Sequence, residues 1–289
     1  MAKKINKILL CASKDNRQIR DIAMQTCEVL VNLNKEVYLH KNLFSIHYGS
    51  LNKLRTIEDS LKCDLVIVIG GDGSLLGFAR EFGSKGIPIL GINLGNLGFL
   101  ADIPPENIVN SVKEVVSGKY IRDERFFLEA IFNNSDDSQI ALNEIVINSY
   151  AKAKLLEYEL YINNSFVYRQ KGDGLIINTP TGSTAYSLSG GGPIIHPDLN
   201  AITLVPMFPH SLSASPLIVD DKSVIKLLVR KKAFVSLDGQ NVFNLKKGEE
   251  IKIQKSIKPV TLLHPKDHSF FSACRNKLGW SNGILQDRH

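Results

Sequence analysis

Four residues that directly follow an aliphatic run could do chemistry: the tetrapeptide Gly-Gly-Asp-Gly at residues 70–73. Residues 64–69 read as a buried parallel strand, and residues 74–82 look helical. Glycines between a strand and a helix let the backbone approach a phosphate, and the helix start offers N–H groups to the anion. Asp72 would repel a phosphate, so it could instead hold a magnesium ion or accept the proton of an attacking hydroxyl. A tight turn explains the tetrapeptide equally well.

A longer segment, residues 171–194, reads KGDGLIINTPTGSTAYSLSGGGPI and is rich in hydroxyl-bearing residues. A strand leads to a proline and a glycine, and a short helix after Thr181 then ends at three glycines. The hydroxyls could bond a base or a sugar, and the ring of Tyr186 could pack against a flat ligand. A capped helix with a glycine stop does not explain the density of hydroxyls together with Asp173. We therefore interpret this segment as a binding site.

A third polar element, Asn143-Glu144, interrupts an otherwise apolar strand predicted over residues 140–148. Buried amides and carboxylates must be hydrogen-bonded, and vicinal sugar hydroxyls are suitable partners. Two residues alone allow a surface-facing pair equally well. Asp238-Gly239 is expected first to form a hairpin turn and only secondarily to contact a ligand.

The elements that must position these residues fall into two halves. Strands and helices alternate up to about residue 118, which predicts an α/β domain with a parallel sheet. Beyond about residue 120 the apolar period changes from 3.6 to 2, and many short strands, among them residues 250–254 and a hairpin at Asn163-Asn164, predict a β-sandwich. We place the domains at residues 1–118 and 119–265, with residues 266–289 packing back on the first domain.

The composition of the chain limits the number of domains and the kinds of partner that we expect. The chain has 289 residues, 44% hydrophobic and 22% charged, as expected for about two globular domains. Basic residues outnumber acidic ones by 35 to 29, giving a net charge of +6, but they do not cluster. No apolar run approaches the roughly 20 residues of a membrane span. We expect neither a membrane nor a nucleic-acid partner, and nucleic-acid binding is kept as an alternative hypothesis.

Several familiar sites are absent from the sequence. There is no G-x-x-x-x-G-K-[ST], no G-x-G-x-x-G, no H-E-x-x-H and no G-x-S-x-G. The four cysteines form no C-x-x-C pair, so we expect reduced thiols in a cytoplasmic protein. The seven histidines are scattered, and we expect each to be structural or exposed.

The order of the motifs resembles the bacterial NAD kinase family from about residue 5 to 270. The shared elements are the tetrapeptide at 70–73, NLGNLGFL at 93–100, Asn143-Glu144, residues 172–194 and Asp238-Gly239-Gln240. The tetrapeptide is also found in diacylglycerol, sphingoid and phosphofructo kinases, so it identifies only a superfamily. The segment GDGLIINTPTGSTAYSLS is far more selective.

The resemblance implies an N-terminal α/β domain, a C-terminal β-sandwich and an enzyme that transfers the γ-phosphoryl group of ATP to the 2′-hydroxyl of the adenosine ribose of NAD, giving NADP. Asp72 would orient and deprotonate that hydroxyl. The implied phosphate loop is Gly70, Gly71 and Gly73. The implied NAD-binding residues are Asp72, Gly73, Phe99, Asn143, Glu144, Lys171, Asp173, Thr181, Thr184, Ala185, Tyr186 and Ser189.

Within that set the resemblance assigns individual roles. Phe99 would line the adenine, Asn143 and Glu144 would hold ribose hydroxyls, and Asp173 would reach the nicotinamide half from a neighbouring subunit. Magnesium, or another divalent metal, would arrive with ATP rather than in a fixed protein cluster. A homodimer or homotetramer is implied, and polyphosphate is an alternative phosphoryl donor.

Two positions depart from the family pattern. Lys171 and Asn178 stand where many relatives have arginine and serine. Lysine is a point charge without the bidentate fork of arginine, so its pairing with phosphate or with a neighbouring carboxylate differs.

Two other functions compete with this interpretation. A lipid kinase of the same superfamily would need an apolar acceptor groove, whereas residues 171–194 are rich in hydroxyls and carry Asp173. A non-catalytic dinucleotide sensor that binds DNA through its basic surface would show steep salt dependence and no NAD-dependent ATP consumption.

Overall fold

The computed structural model describes residues 5–43, 55–56, 63–95, 98–133, 135, 137–150, 155–211 and 213–280. The chain divides into two compact units, which we call the first unit (Met1–Glu124 with Val260–His289) and the second unit (Arg125–Pro259). Every helix in the described part of the chain is too short or too polar to cross a membrane.

The first unit is an α/β layer around a parallel sheet in the order β3-β2-β1-β4-β5. Its elements are β1 (Lys7–Ala12), α1 (Arg17–Asn32), β2 (Glu36–Leu39), β3 (Arg55–Thr56), β4 (Leu65–Ile69), α2 (Asp72–Glu81), β5 (Ile89–Ile92) and α3 (Ile108–Val116). All five residues of β4 are buried, as a strand covered on both faces requires. The side chain of Asn16 caps α1 by accepting the N–H of Ile19 at 2.9 Å.

In its described residues, the second unit is all-β apart from a short 3-10 helix (Thr181–Thr184) and the short α-helix that follows it. Its elements are β6 (Ile121–Phe132, which begins in the first unit), β7 (Ser138–Ala141), β8 (Glu144–Ser149), β9 (Leu156–Ile162), β10 (Ser165–Gly172), β11 (Gly174–Asn178), α4 (Tyr186–Ser189), β12 (Ala201–Met207), β13 (Leu217–Asp220), β14 (Ile225–Val229), β15 (Ala233–Leu237), β16 (Asn241–Leu245) and β17 (Glu250–His264). The last part of β17 belongs to the first unit, as does α5 (Phe270–Leu278).

Two antiparallel layers of the second unit share one apolar core. One layer has the order β13-β12-β11-β8-β15-β16, and the other contains β10, β9, β14 and β17. Ile145 and Ile177 of the first layer pack in the same cluster as Tyr158 and Leu227 of the second. The predicted fold class, an α/β domain with a parallel sheet followed by an all-β sandwich, is confirmed.

Three details of the strand prediction are wrong. Residues 140–148 form two strands, β7 and β8, because the chain leaves one layer and enters the other at Leu142 and Asn143. The strand predicted over residues 250–254 continues to His264. The sequence pattern also did not predict strands β3, β6 and β13. The hairpin at Asn163-Asn164 is confirmed, with φ values of 50° and 64°.

Candidate functional site

Asp72 lies in the first turn of α2, after the carboxyl end of the buried strand β4. The helix begins at Asp72 with Gly71 as its N-cap, two residues earlier than the predicted start at residue 74. Nothing lies within 4 Å of the place where a Cβ on Gly71 or Gly73 would stand, whereas one on Gly70 would stand 2.6 Å from Oγ of Ser74. The backbone at Gly71 and Gly73 is therefore open to a ligand, at a helix N-terminus that favours an anion.

The carboxylate of Asp72 is held by the backbone of residues 99–101. The N–H of Phe99 donates to Oδ2 at 2.9 Å, and the N–H groups of Leu100 and Ala101 donate to Oδ1 at 3.1 and 3.0 Å. A Cβ on Gly98 would stand 2.1 Å from Oδ1 of Asp72, so this approach requires glycine. The NLGNLGFL motif thus contributes two of the three amides that fix the acidic side chain, those of Phe99 and Leu100, and Ala101 directly follows it. Residues 96 and 97 of the motif lie outside the described residues.

A lysine from the end of the chain reaches the same carboxylate. Nζ of Lys277, on α5, lies 3.4 Å from Oδ2 of Asp72 and 4.8 Å from the centre of the Phe99 ring. Phe99 in turn faces Phe270 with ring centres 6.3 Å apart. No sequence motif indicates this contact, because Lys277 lies 205 residues from Asp72 along the chain.

Asp102, which directly follows the three amide donors at residues 99–101, is hydrogen-bonded by two histidines. Oδ2 of Asp102 lies 2.9 Å from Nδ1 of His264 and 2.6 Å from Nδ1 of His268, and the two imidazoles stack with centres 3.9 Å apart. Nε2 of His264 lies 3.5 Å from Oδ2 of Asp123. The sequence shows the two histidines four residues apart, a signal that the scattered appearance of the histidines obscured.

This cluster is a set of charge-assisted hydrogen bonds. Burial by itself would lower the pKa of His264, but hydrogen bonds and charge from Asp102 and Asp123 outweigh it and raise the pKa to about 9. Burial would raise the pKa of Asp102, but the hydrogen bonds from the two histidines lower it. The N···O distances of 2.9 and 2.6 Å match hydrogen bonds and leave too little room for a metal ion between the same atoms.

The raised pKa of His264 predicts a loss of stability in alkali. A histidine with a pKa near 6.5 unfolded and about 9 folded contributes fully below pH 6.5, and its contribution disappears as pH rises through about 9. The difference corresponds to about 3 kcal/mol at most. Urea unfolding from pH 6 to pH 10 should show a clearly smaller fall in His264→Gln than in the wild type. Part of the fall remains in the variant, because ionisation of the buried Glu144, whose pKa is about 8, also lowers stability as pH rises. His196→Gln, which removes a half-exposed histidine, should retain the wild-type fall; a fall of equal size in His264→Gln would contradict this assignment.

In the second unit, Asp238 organises the break between β7 and β8. Its carboxylate accepts the N–H of Leu142 at 3.0 Å, of Asn143 at 2.8 Å and of Glu144 at 3.2 Å. Asp238 has a φ of 49° and begins the turn between β15 and β16. The hairpin expected at Asp238-Gly239 is confirmed, and the same residue fixes the backbone of the polar pair.

At this break and on the neighbouring β11, three buried acceptors have no hydrogen-bond partner among the described residues: Oδ1 of Asn143, Oε2 of Glu144 and Oδ1 of Asn178. Asn178 is paired with Glu144 across β11 and β8. Burial, with a further contribution from the charge of Asp238, raises the pKa of Glu144 to about 8. The Asn143-Glu144 pair is therefore buried rather than surface-facing, which resolves the alternative left open by the sequence.

The segment after β11 folds tightly against this break. Oγ1 of Thr179 donates to the carbonyl of Leu142 at 2.6 Å and accepts the N–H of Gly182 at 3.2 Å. A Cβ on Gly182 would stand 2.1 Å from the carbonyl oxygen of Asn143. Thr181 is buried and accepts a hydrogen bond from Nη1 of Arg125 at 2.9 Å. Arg125 was missed by the sequence analysis because an isolated arginine in a strand carries no motif.

The hydroxyl residues of the segment divide into structural and accessible ones. Oγ of Ser183 donates to the carbonyl of Pro180 at 2.6 Å and accepts the N–H of Ile195 at 3.0 Å, so Ser183 is structural. Thr184 donates to the carbonyl of Thr181 at 3.4 Å. The N–H of Ala185 donates to the carbonyl of Gly182 at 3.0 Å. Tyr186 and Ser189, on α4, line a cavity of about 480 Å³ together with Met207 and Phe208, among others.

Lys171 and Asp173 lie away from this break. Both side chains are exposed, and Nζ of Lys171 lies 3.8 Å from Oε2 of Glu157. Asp173 precedes β11 and Asn178 ends it, so the two residues are separated by about 17 Å along the strand at 3.4 Å per residue. The structure does not bring Asp173 to Glu144 within this chain.

Comparison with known proteins agrees with both units. Residues 8–120 match the ATP-NAD kinase N-terminal domain, and residues 142–264 match the ATP-NAD kinase C-terminal domain. The NAD kinase of Saccharophagus degradans is 44% identical over 274 residues, 92% of this chain and 90% of that protein. The NAD kinase of Pseudomonas aeruginosa strain LESB58 is 48% identical over 277 residues, 92% of this chain and 93% of that protein.

Solved structures share the fold. A yeast NADH kinase complexed with NADH superposes with a TM-score of 0.85 at 23% identity, covering 96% of this chain and 89% of that one. An NAD kinase from Archaeoglobus fulgidus in complex with ATP superposes with a TM-score of 0.73 at 26% identity, covering 96% of this chain and 99% of that one. The chain therefore belongs to the ATP-NAD kinase family and has the phosphotransferase activity for which that family is named.

Proposed function

We propose that this chain transfers the γ-phosphoryl group of ATP to the 2′-hydroxyl of the adenosine ribose of NAD, with Asp72 as the general base. The observation that supports this assignment is the carboxylate of Asp72, fixed by three amides beside the open glycine backbone at the start of α2. A 2′-hydroxyl is a poor nucleophile, so transfer needs a proton acceptor within hydrogen-bond reach and a fixed geometry. The three amides supply the fixed geometry.

We propose that the phosphate loop is formed by Gly70, Gly71 and Gly73. Open space above Gly71 and Gly73 lets phosphate oxygens approach the backbone, and the positive end of α2 favours their charge. Among the described residues, the only group of three potential metal ligands is Asp102 with His264 and His268, whose imidazoles do not suit magnesium. A magnesium ion would arrive on the phosphates of ATP and neutralise their charge there.

Each unit carries residues that we propose to contact NAD. In the first unit, Phe99 would line the adenine beside Asp72 and Gly73. In the second unit, Asn143 and Glu144 would hold ribose hydroxyls, because their buried acceptors have no partner in the part of the chain that the structure describes and a hydroxyl supplies the missing donor. The remaining proposed contacts are Lys171, Asp173, Thr181, Thr184, Ala185, Tyr186 and Ser189.

We further propose a homodimer or homotetramer in which Asp173 serves the NAD of a neighbouring subunit. The exposed carboxylate of Asp173, distant along β11 from Glu144, supports a role toward another copy. We also propose that residues 1–118 form the nucleotide-binding domain, with residues 266–289 packing back on it. Residues 119–265 would form the β-sandwich domain, with NAD-binding and oligomer contacts. Four buried free thiols, Cys11, Cys27, Cys63 and Cys274, suit the reducing cytoplasm that we propose.

The ionisation of Glu144 predicts that NAD binds more tightly as pH rises. A carboxylate accepts two ribose hydroxyls better than a carboxylic acid does, so binding should release the proton that Glu144 holds below about pH 8. The dissociation constant of NAD should fall about tenfold between pH 7 and pH 9. Calorimetry in buffers of different ionisation enthalpy should detect the released proton. Glu144→Gln should bind with no proton release; release of a full proton by that variant would contradict the prediction.

One assay tests the function as a whole. Purified protein with magnesium is incubated with ATP or polyphosphate against NAD, NADH or diacylglycerol, and products are identified by mass. We expect NADP from ATP and NAD. A phosphorylated lipid with no NADP, or a product phosphorylated elsewhere than the 2′-hydroxyl, would overturn the proposal.

A further inference from the structure

The glycine loop at residues 70–73 carries no cationic side chain of its own. Phosphoryl transfer spreads negative charge over the transferred group, and kinases stabilise that charge with a lysine or arginine as well as with metal. The G-x-x-x-x-G-K-[ST] motif, which would supply such a lysine, is absent. A cation that acts here must therefore come from elsewhere in the chain.

We infer that Lys277, carried by α5, is the cation that binds the transferred phosphoryl group, and that it leaves Asp72 for the phosphate when ATP binds. The inference rests on the proposed function and assigns a residue to the same reaction. In the structure, Nζ of Lys277 is 3.4 Å from Oδ2 of Asp72 and stands over the Phe99 ring at 4.8 Å.

The position of Lys277 is set by the ends of α5. Oγ of Ser269 accepts the N–H of Ser272 at 3.3 Å and begins the helix, and Gly279, at a φ of 68°, ends it with its N–H bonded to the carbonyl of Arg275 at 3.1 Å. Cys274 is buried. The helix is thus anchored while the ammonium, at the end of a flexible stem, can change partners.

The lone pairs of Asp72 make its two partners mutually exclusive. An ionised carboxylate offers about four acceptor sites, and the backbone amides of residues 99–101 occupy three of them. Among the described residues, Lys277 faces what remains. Asp72 can accept the proton of a hydroxyl only after the ammonium moves away.

The ion pair between Lys277 and Asp72 is weak enough for Lys277 to change partners. At 3.4 Å it is longer than the usual 2.7–2.9 Å of a charge-assisted hydrogen bond, and the two side chains are 31% and 27% exposed. Ion pairs of this kind contribute little to stability. A phosphate with multiple charges is a stronger partner for the ammonium than a single carboxylate that already accepts three amides.

In the phosphoryl transfer, one bond to phosphorus forms and one breaks. The 2′-oxygen of the ribose forms a bond to the γ-phosphorus of ATP, the bond from that phosphorus to the bridging oxygen breaks, and ADP leaves. The proton of the hydroxyl passes to Asp72. Lys277 remains protonated throughout and stabilises the charge of the transferred group.

Lys277→Met and Lys277→Arg test the inference. Methionine keeps an apolar stem over Phe99 but removes the charge, so we expect kcat/KM for ATP to fall about a hundredfold. The dissociation constant of NAD should stay within about twofold. Arginine keeps the charge and should recover most of the loss. Arg275→Met removes an exposed charge from the same helix and should behave as the wild type.

A second measurement separates this inference from the proposed function. Binding of the inert ATP analogue with a β,γ-methylene link is measured by calorimetry, without turnover. We expect Lys277→Met to weaken it at least tenfold and Arg275→Met to leave it unchanged. Unchanged analogue binding and turnover in Lys277→Met would overturn the inference, as would faster turnover, which would mean that Lys277 only blocks Asp72. Failure of the wild type to make NADP would overturn the proposed function instead.

Discussion

Asp72→Asn should fold, bind NAD and lose at least about a hundredfold in turnover, because an amide cannot take the proton of the 2′-hydroxyl. The loss should appear in kcat rather than in the KM for NAD. A coupled assay for NADP gives the rate, and calorimetry with NAD and the methylene analogue gives the binding. Turnover close to that of the wild type would remove Asp72 from the role of base.

The structure shows that Asp72→Asn should also lower the stability of the fold. Asp72 accepts hydrogen bonds on both oxygens, from Leu100 and Ala101 on Oδ1 and from Phe99 on Oδ2. An asparagine can satisfy one side, but its NH₂ group would then face a donor. We expect a loss of about 1–3 kcal/mol in the free energy of unfolding. The kinetic comparison should therefore be made well below the melting temperature of the variant.

Gly98→Ala should have a comparable effect on turnover although no ionisable residue is substituted. The added Cβ would stand 2.1 Å from Oδ1 of Asp72 and 2.7 Å from the carbonyl oxygen of Ala101, so the carboxylate must rotate away from its amides. A misplacement of about 1 Å can cost a hundredfold in rate. We expect kcat to fall by about that factor.

Gly71→Ala is the matched control for that variant. Gly71 has a φ of −87° and nothing within 4 Å of its missing Cβ, so the substitution should leave the melting temperature unchanged. Any effect should appear in the KM for ATP, because the methyl group would stand where a phosphate approaches. Equal kcat in Gly98→Ala and wild type would show that the amide-held position of Asp72 is not required for catalysis.

The order of polar motifs and the change of period near residue 120 were sufficient to predict the fold class and the family. Alternating elements and their turns are encoded within windows of a few residues, as the buried run of β4 and the Asn163-Asn164 hairpin illustrate. Asp72 could be singled out as a candidate in the same way, because a carboxylate in a glycine-rich bend at the start of a helix could hold magnesium or accept a proton.

What surrounds those residues was decided only by tertiary structure. Asp238 fixes the Asn143-Glu144 backbone from about 95 residues away, and Lys277 reaches Asp72 across 205 residues. At the break near Leu142, three backbone amides donate to the carboxylate of Asp238, and no local breaker residue marks the position. The pKa values of Glu144 and His264 depend on burial among such distant partners. Sequence patterns reflect the conformational preferences of residues that are close along the chain. These contacts join residues that are distant along the chain, so they form only when the chain has folded.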